Sequence, residues 1–365
     1  MVEIFEGATT ALITPIKSDG TLNRIDFKNL LLYQVQNGIH GLMPCGTTGQ
    51  SPTLTWQEHQ ELIRATLISK GFSDRVFVIA GAGSNNTEEG VEATKHAKEI
   101  GADATLHVTG YYNCPSQQGF ADYFSEIAKA ADCKVIIYNI PGRGHPIILP
   151  ELMVALAKEF PNIIGTKDAT GGRAAPLYFE EKSFWRALRQ RAKDAGLGRH
   201  SFKMLSGDDS ATYAMMSDSS IEGAGVISVW SNLFPHAYAK MAEHLLKGEY
   251  EEAKKIDDEL ANLNSLVGVK TKSNVVKIGK KTVWTDGDTF RNPEAVQLAA
   301  YVLGMISSPS LRSPMGFLPE EEWGRQVGSE LLKLYEGEMG DFLFKPIEEF
   351  YQVKDMGDRL SRYKI

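Results

Sequence analysis

The stretch Asn162-Ile163-Ile164-Gly165-Thr166-Lys167-Asp168-Ala169-Thr170-Gly171 reads as a buried strand that delivers a lysine at its carboxyl end. An apolar β-branched pair leads through Gly165 into Thr166-Lys167, and the Gly171-Gly172 pair breaks the run. A free amine has a pKa of about 10.4, so only about one in a few thousand is unprotonated at neutral pH. A low-polarity pocket that lowers the pKa by ~3 units raises that population almost a thousandfold, equivalent to about 4 kcal/mol. That is the environment a Schiff-base lysine needs. Taken alone, Lys167 reads more readily as one more solvated surface charge, and its surroundings must decide.

On both sides of this stretch, from Gly7 to about Ser231, short β-rich runs alternate with helical patterns, the signature of βα units that build a parallel sheet. The predicted strands are Thr9 to Ile13, Gly41 to Pro44, Val76 to Ala80, Ala104 to Val108, Lys134 to Tyr138, Ile163 to Lys167, Lys203 to Leu205 and Gly225 to Val229. Helical patterns lie between them at Ile25 to Gln36, Thr55 to Ser69, Glu88 to Ile100, Phe120 to Ala131 and Pro150 to Phe160. Thr55 with Glu58 makes a capping box, and Thr87 is placed to cap the acidic turn that follows it. Eight repeats fit a closed (β/α)8 TIM barrel, whereas a doubly wound open sheet more often stops at about five or six strands. The expected organisation is α/β: a barrel over residues 1–231 with a long insertion near 172–203, then a helical region over 232–336 carrying an inserted hairpin near 270–290, then a tail over 337–365.

Composition narrows the function. With 42% hydrophobic and 23% charged residues among 365, the chain has material for a large core. A net charge of −7 without basic clusters argues against nucleic-acid binding. Cys45, Cys114 and Cys133 form no CxxC pair, and His59, His107, His145 and His236 lack metal-ligand spacing, so no metal site and no disulfide framework is expected. Met1 to Thr10 carries acids and no apolar leader, and no run of 18 apolar residues occurs; a cytoplasmic protein that spans no membrane is expected.

In a closed barrel, chemistry belongs at the carboxyl ends of the strands. After the second strand, Gly46-Thr47-Thr48-Gly49 is a tight polar turn whose amides and hydroxyls suit a small carboxylate, although a plain β-turn with threonine caps has the same sequence. The fourth strand ends at Thr109-Gly110-Tyr111-Tyr112-Asn113 and the fifth at Tyr138-Asn139-Ile140-Pro141-Gly142-Arg143. Two tyrosines, an arginine, a threonine nest and a lysine at one rim point to a site.

At these residues the sequence resembles the dihydrodipicolinate synthase and N-acetylneuraminate lyase family, class I aldolases that bind pyruvate as a lysine imine. The likeness runs from about Phe5 to Glu336. It is carried by GTTGQ at Gly46 to Gln50, YYNCPSQQG at Tyr111 to Gly119, YNIPGR at Tyr138 to Arg143, GTKDATG at Gly165 to Gly171, SGDD at Ser206 to Asp209, and GVISV at Gly225 to Val229. The resemblance implies that Lys167 forms the imine. Tyr138 would be the general acid/base, relaying protons through Thr47, with Tyr112 completing the relay from a neighbouring subunit. Thr47 and Thr48 would hold the pyruvate carboxylate, Arg143 the carboxylate of the acceptor aldehyde, and Gly207 and Ile227 would line the pocket.

Arg143 favours the synthase branch, in which pyruvate condenses with aspartate 4-semialdehyde to hydroxy-tetrahydrodipicolinate on the diaminopimelate route to lysine. No diffusible cofactor is implied. A homo-oligomer is, either a dimer or a dimer of dimers. In lysine-inhibited members the inhibitor sits between subunits, which here implies Ser51, Trp56, His59, Asn85, Glu89 and Tyr111. The alternatives are a related pyruvate-dependent aldolase acting on a sugar acid or 2-keto acid, and a non-catalytic homologue that binds or regulates.

The chain departs from the family pattern at Gln50, where glutamate is usual, and at Gly110, Gly142 and Gly144, which imply looser loops. Phe179 to Ala195 reads as a basic amphipathic helix solvated at the barrel rim. The run from Val275 to Trp284 reads as an exposed hairpin turning near Gly279. Phe342, Phe344, Phe350 and Tyr351 in the tail are too many aromatics for water and are expected to pack on the barrel or on another subunit.

Overall fold

The computed structural model describes residues 3–73, 76–144, 146–171, 183–316 and 318–364. Eight parallel strands close into a barrel: β1 (Gly7–Ala11), β2 (Gly41–Met43), β3 (Phe77–Gly81), β4 (Ala104–His107), β5 (Lys134–Asn139), β6 (Ile163–Asp168), β7 (Lys203–Ser206) and β8 (Gly225–Ser228). The last strand returns to the first through the pairs Gly7↔Gly225 to Thr10↔Ser228. Helices cover the outside and side chains fill the inside, so the strands are buried on both faces and read as apolar runs. Phe5, Met43, Phe77, Ile79, Leu106, Ile136, Tyr138, Leu205 and Ile227 make one packed cluster.

The outer helices are α1 (Arg24–Gln36), α2 (Trp56–Ile68), α3 (Thr87–Glu99), α4 (Gln117–Ala130), α5 (Pro150–Glu159), α6 (Phe184–Asp194), α7 (Thr212–Ser217) and α8 (Pro235–Lys247). The capping box of α2 forms as the sequence indicates, with the Glu58 amide donating to Thr55 Oγ1 at 3.3 Å and the Thr55 amide donating to Glu58 Oε2 at 2.9 Å. For α3 the cap is Asn86 and not Thr87: Asn86 Oδ1 accepts from the Glu88 amide at 2.9 Å, which puts Thr87 inside the helix. α4 starts earlier than Phe120 because Ser116 caps it. We place the end of the barrel after α8 and not at residue 231, because α8 packs against β1 and β8.

α6 corrects the reading of a solvated rim helix. It is the helix between β6 and β7, and Phe184, Trp185, Ala187, Leu188 and Arg189 are buried on its inner face. Arg189 is wholly buried and is tolerated there because its guanidinium donates to the carbonyls of Ile221, Phe202 and Glu222. The predicted start of this helix at Phe179 and most of the expected insertion up to it, like His145, lie outside the described residues.

Beyond the barrel come α9 (Tyr250–Ser265), β9 (Val269–Lys270), β10 (Ser273–Ile278), β11 (Lys281–Asp286), β12 (Thr289–Phe290), α10 (Glu294–Val302), α11 (Glu320–Trp323), α12 (Ser329–Glu336), α13 (Gly340–Tyr351) and α14 (Met356–Ser361). β10 and β11 form the expected antiparallel hairpin, with Ile278 opposite Lys281 and Gly279 at φ +60° in the turn. β9 pairs with β12 at its base.

The tail aromatics pack on their own chain. Phe344 meets Phe234 edge-on at 5.1 Å, Phe342 meets His236 at 5.0 Å, and Phe350 and Tyr351 each meet Tyr33 of α1 at 5.3 Å. Phe344 is fully buried, so Phe344→Ala is expected to cost about 3–5 kcal/mol in a denaturant unfolding experiment. A cost near zero would mean that the tail is not docked.

Candidate active site

The site is built on one irregularity. Along the β5/β6 ladder Val135 pairs with Ile163, but Ile136 pairs with Gly165, so Ile164 is an extra residue, a bulge in β6. Gly165 makes the bulge possible, since a Cβ there would lie 2.1 Å from the Lys203 carbonyl oxygen. The one-residue shift brings Lys167 opposite Tyr138, and paired residues of parallel strands share a face. Without it Lys167 would face Asn139. The ammonium nitrogen lies 4.3 Å from the centroid of the Tyr138 ring.

Lys167 is 4% exposed. Burial drives its pKa down to about 8; Asp208 and Asp209 pull it back up, and Arg143 pushes it further down. At pH 7 the nucleophilic form then amounts to roughly one part in ten, against about one in three thousand for a free amine. Tyr138 is pushed up by burial and by the charge of Asp208, while Arg143 and a hydrogen bond with Thr47 act in the opposite direction. The phenol therefore holds its proton at neutral pH, with a hydroxyl in contact to pass it on.

Next to Lys167, Asp168 is fully buried and its carboxylate is saturated. Oδ1 accepts from Trp185 Nε1 at 2.7 Å and Thr170 Oγ1 at 2.6 Å, and Oδ2 accepts from Asn139 Nδ2 at 3.0 Å. This network anchors the carboxyl ends of β5 and β6 to α6. Asp209 ties the next loop to β8 by accepting from the amides of Val229 and Trp230 at 3.0 and 3.1 Å.

The threonine turn is held from below. Ser51 and Gly49 amides donate to the Gly46 carbonyl, and Thr14 Oγ1 donates to the Gly49 carbonyl at 2.7 Å. Gln50 is buried at a left-handed φ of +56°, and its amide is used at both ends: Oε1 accepts from the Arg312 amide at 3.0 Å and Nε2 donates to the Thr14 carbonyl at 3.4 Å. A neutral amide fits that pair of partners. The glycines expected to loosen loops do something else at two of three places. Gly110 and Gly144 sit at φ +73° and +87°, and a Cβ on Gly110 would meet Pro115 at 2.4 Å.

Arg143 is half-buried after the Pro141–Arg143 turn and donates from Nη2 to the main-chain oxygen of Asn292 at 3.0 Å. Asn292 Nδ2 donates to Thr48 Oγ1 at 2.9 Å. Sequence reading missed Asn292, because an Asn-Pro pair after a hairpin signals only a turn. Ile227 and Tyr138 share the cluster of apolar side chains described above, and Gly207 follows β7 with its amide on the Asp168 carbonyl at 2.8 Å. Tyr112 is not brought to the site of its own chain; it is 88% exposed.

A cavity of about 580 Å³ is lined by Thr47, Tyr138 and Arg143, and also by Ser51, Trp56, His59, Glu89 and Tyr111. Asn85 stands next to it, accepting from the Tyr111 amide at 3.1 Å. His59 is held neutral by burial, its pKa down at about 4, and stacks on Trp56 at 5.3 Å.

A family model, the dihydrodipicolinate synthetase family, matches residues 4–295. The chain belongs to that family. It is 37% identical over 313 residues to the 4-hydroxy-tetrahydrodipicolinate synthase of a Sulfurihydrogenibium species, a match that covers 86% of this chain and 92% of the relative. Among solved structures it is similar to a chloride-inhibited dihydrodipicolinate synthase of Acinetobacter baumannii complexed with pyruvate, with a TM-score of 0.71 at 27% identity over 96% of this chain and 100% of the other. It is also similar to a dihydrodipicolinate synthase of Cyanidioschyzon merolae with lysine bound, with a TM-score of 0.71 at 29% identity over 96% and 99%. The family match ends at residue 295, so the last helices, including the docked tail, lie past it.

Proposed function

We propose that the chain is a 4-hydroxy-tetrahydrodipicolinate synthase, a lyase in which Lys167 captures pyruvate as an imine. The carrying observation is the buried amine beside Tyr138 with its pKa lowered to about 8. The amine attacks the keto carbon of pyruvate and water leaves. The imine withdraws electrons, so the methyl group loses a proton and becomes an enamine carbon. That carbon bonds to the aldehyde carbon of L-aspartate 4-semialdehyde. Cyclisation gives the hydroxy-tetrahydrodipicolinate and frees the lysine. Tyr138 and Thr47 move the protons, with Tyr112 of a neighbouring copy as the outer member of the relay. Thr47 and Thr48 hold the keto-acid carboxylate and Arg143 that of the acceptor, with Gly207 and Ile227 as the wall. The nucleophile is part of the chain, so the reaction as written draws on no diffusible cofactor.

Borohydride reduction in the presence of pyruvate is expected to leave a stable mass on Lys167. Its rate should fall about tenfold per pH unit below the amine pKa of about 8, because only the unprotonated form attacks. Absence of the adduct, or an adduct on another lysine, would remove the reading.

The reading extends to a homo-oligomer, a dimer or a dimer of dimers, in which the exposed Tyr112 would complete the relay of another copy. Among the described residues no helix is long and apolar enough to cross a membrane, which agrees with a cytoplasmic enzyme of amino-acid synthesis. Free lysine is the proposed inhibitor at Ser51, Trp56, His59, Asn85, Glu89 and Tyr111: Glu89 supplies an anion for its ammonium and Trp56 an aromatic face. The similar Cyanidioschyzon merolae structure has lysine bound. Calorimetric titration with millimolar lysine tests this, and no heat with no change in rate would remove it.

A further inference from the structure

We infer that Asn292 is a positioning residue that dictates which way the Thr48 hydroxyl donates, and thereby sets the threonine turn to receive a carboxylate. The inference rests on the keto-acid reading of that turn given above. Asn292 is 9% exposed and Thr48 2% exposed, so bulk water competes little for the bond between them. An amide NH₂ can only donate, and a hydroxyl has a single hydrogen. Because Nδ2 of Asn292 donates to Thr48 Oγ1 at 2.9 Å, the threonine must accept on that side. Its hydrogen is then left for another acceptor, and among the described residues none takes it. A carboxylate, which only accepts, completes the chain amide to hydroxyl to anion.

The amide is held by that bond. Asn292 Oδ1 is buried with no partner among the described residues, so the contact with Thr48 is the side-chain bond that holds the amide there. The main chain of the same segment serves the other carboxylate site: the Asn292 carbonyl accepts from Arg143 Nη2 at 3.0 Å, and Arg291 Nη1 donates to the Gly142 carbonyl at 3.2 Å. Substitution of the Asn292 side chain leaves those main-chain contacts in place. Its effect should therefore fall on the keto acid and spare the acceptor.

The test uses two substitutions whose order separates positioning from simple packing. Asn292→Ala removes the donor and leaves the Thr48 hydroxyl free to rotate, so the KM for pyruvate should rise about tenfold. Asn292→Asp is nearly isosteric, but its carboxylate takes the Thr48 hydrogen and turns the oxygen lone pairs toward the ligand, so the rise should exceed about 100-fold. In a Thr48→Val background, Asn292→Asp should add little beyond the effect of its own charge, because the group it acts through is gone. A packing role gives the reverse order, with aspartate milder than alanine, and that result overturns the inference. Should the alanine variant fail to fold, a pyruvate KM for Asn292→Asp within about threefold of the unsubstituted enzyme overturns it alone. Borohydride trapping on the unsubstituted chain separates the two levels: no adduct on Lys167 removes the imine reading itself, whereas an adduct with unaltered variants removes only the role of Asn292.

Discussion

Lys167→Met is expected to abolish turnover and, at pH 7, to make the protein more stable. The first effect follows from loss of the proposed nucleophile and should exceed about 10⁴-fold in kcat. The second follows from burial. In the folded chain the ammonium has a pKa of about 8 against an ordinary value of 10.5, already net of the attraction from Asp208 and Asp209. At pH 7 the group is charged both folded and unfolded, and keeping it charged in the folded site costs on the order of 3 kcal/mol. Methionine fills a similar volume with no charge and removes that cost. The sign is fixed by the direction of the shift. As pH rises through 8 the folded amine loses its proton while the unfolded one keeps it until 10.5, so stability of the unsubstituted protein rises across that window. The advantage of methionine should accordingly fade between pH 8 and 10.5 and vanish above it. Denaturant unfolding of both proteins at pH 7 and near the upper end measures this. A methionine variant less stable at pH 7 would mean that the amine is not held in a desolvated place, and the nucleophile would lose its physical basis.

The barrel was legible because strands buried on both faces must be apolar along their length, and eight such runs alternate with helical spacing. Helix starts were less so. Ser116 and Asn86 cap α4 and α3 from polar stretches where apolar periodicity is silent. Arg189 and Trp185 misled in another way: a basic helix looks solvated until its arginine is seen donating to three carbonyls and its indole to Asp168. For the candidate site, residue types at the strand ends singled out the lysine, the tyrosine and the threonine turn as candidates. Their juxtaposition was not legible. It depends on a single extra residue, Ile164, which exchanges the neighbour of Lys167 from Asn139 to Tyr138, and no composition or periodicity encodes that. Asn292 was beyond reach for a different reason, since 244 residues separate it from Thr48 along the chain.

Arg143→Ala is expected to separate the two substrates. The KM for the acceptor aldehyde should rise by about 10- to 100-fold, the range for losing a charge-assisted bond to a carboxylate, while the KM for pyruvate changes by less than about threefold. The geometry supports this split: among the described residues Nη2 of Arg143 is engaged by the Asn292 carbonyl, and Arg143 lines the cavity. A second, independent consequence concerns pH. The guanidinium charge contributes to lowering the Lys167 pKa, so its removal moves that pKa above about 8. Trapping of pyruvate by borohydride should then need a higher pH to reach half its maximal rate. It also helps to lower the pKa of Tyr138, so the phenol should hold its proton more firmly in the variant. An arginine that merely braces the loop would raise both KM values together and leave the pH midpoint of trapping where it was. Selective loss of acceptor affinity with an alkaline shift of that midpoint is what a guanidinium facing both the second carboxylate and the amine must produce.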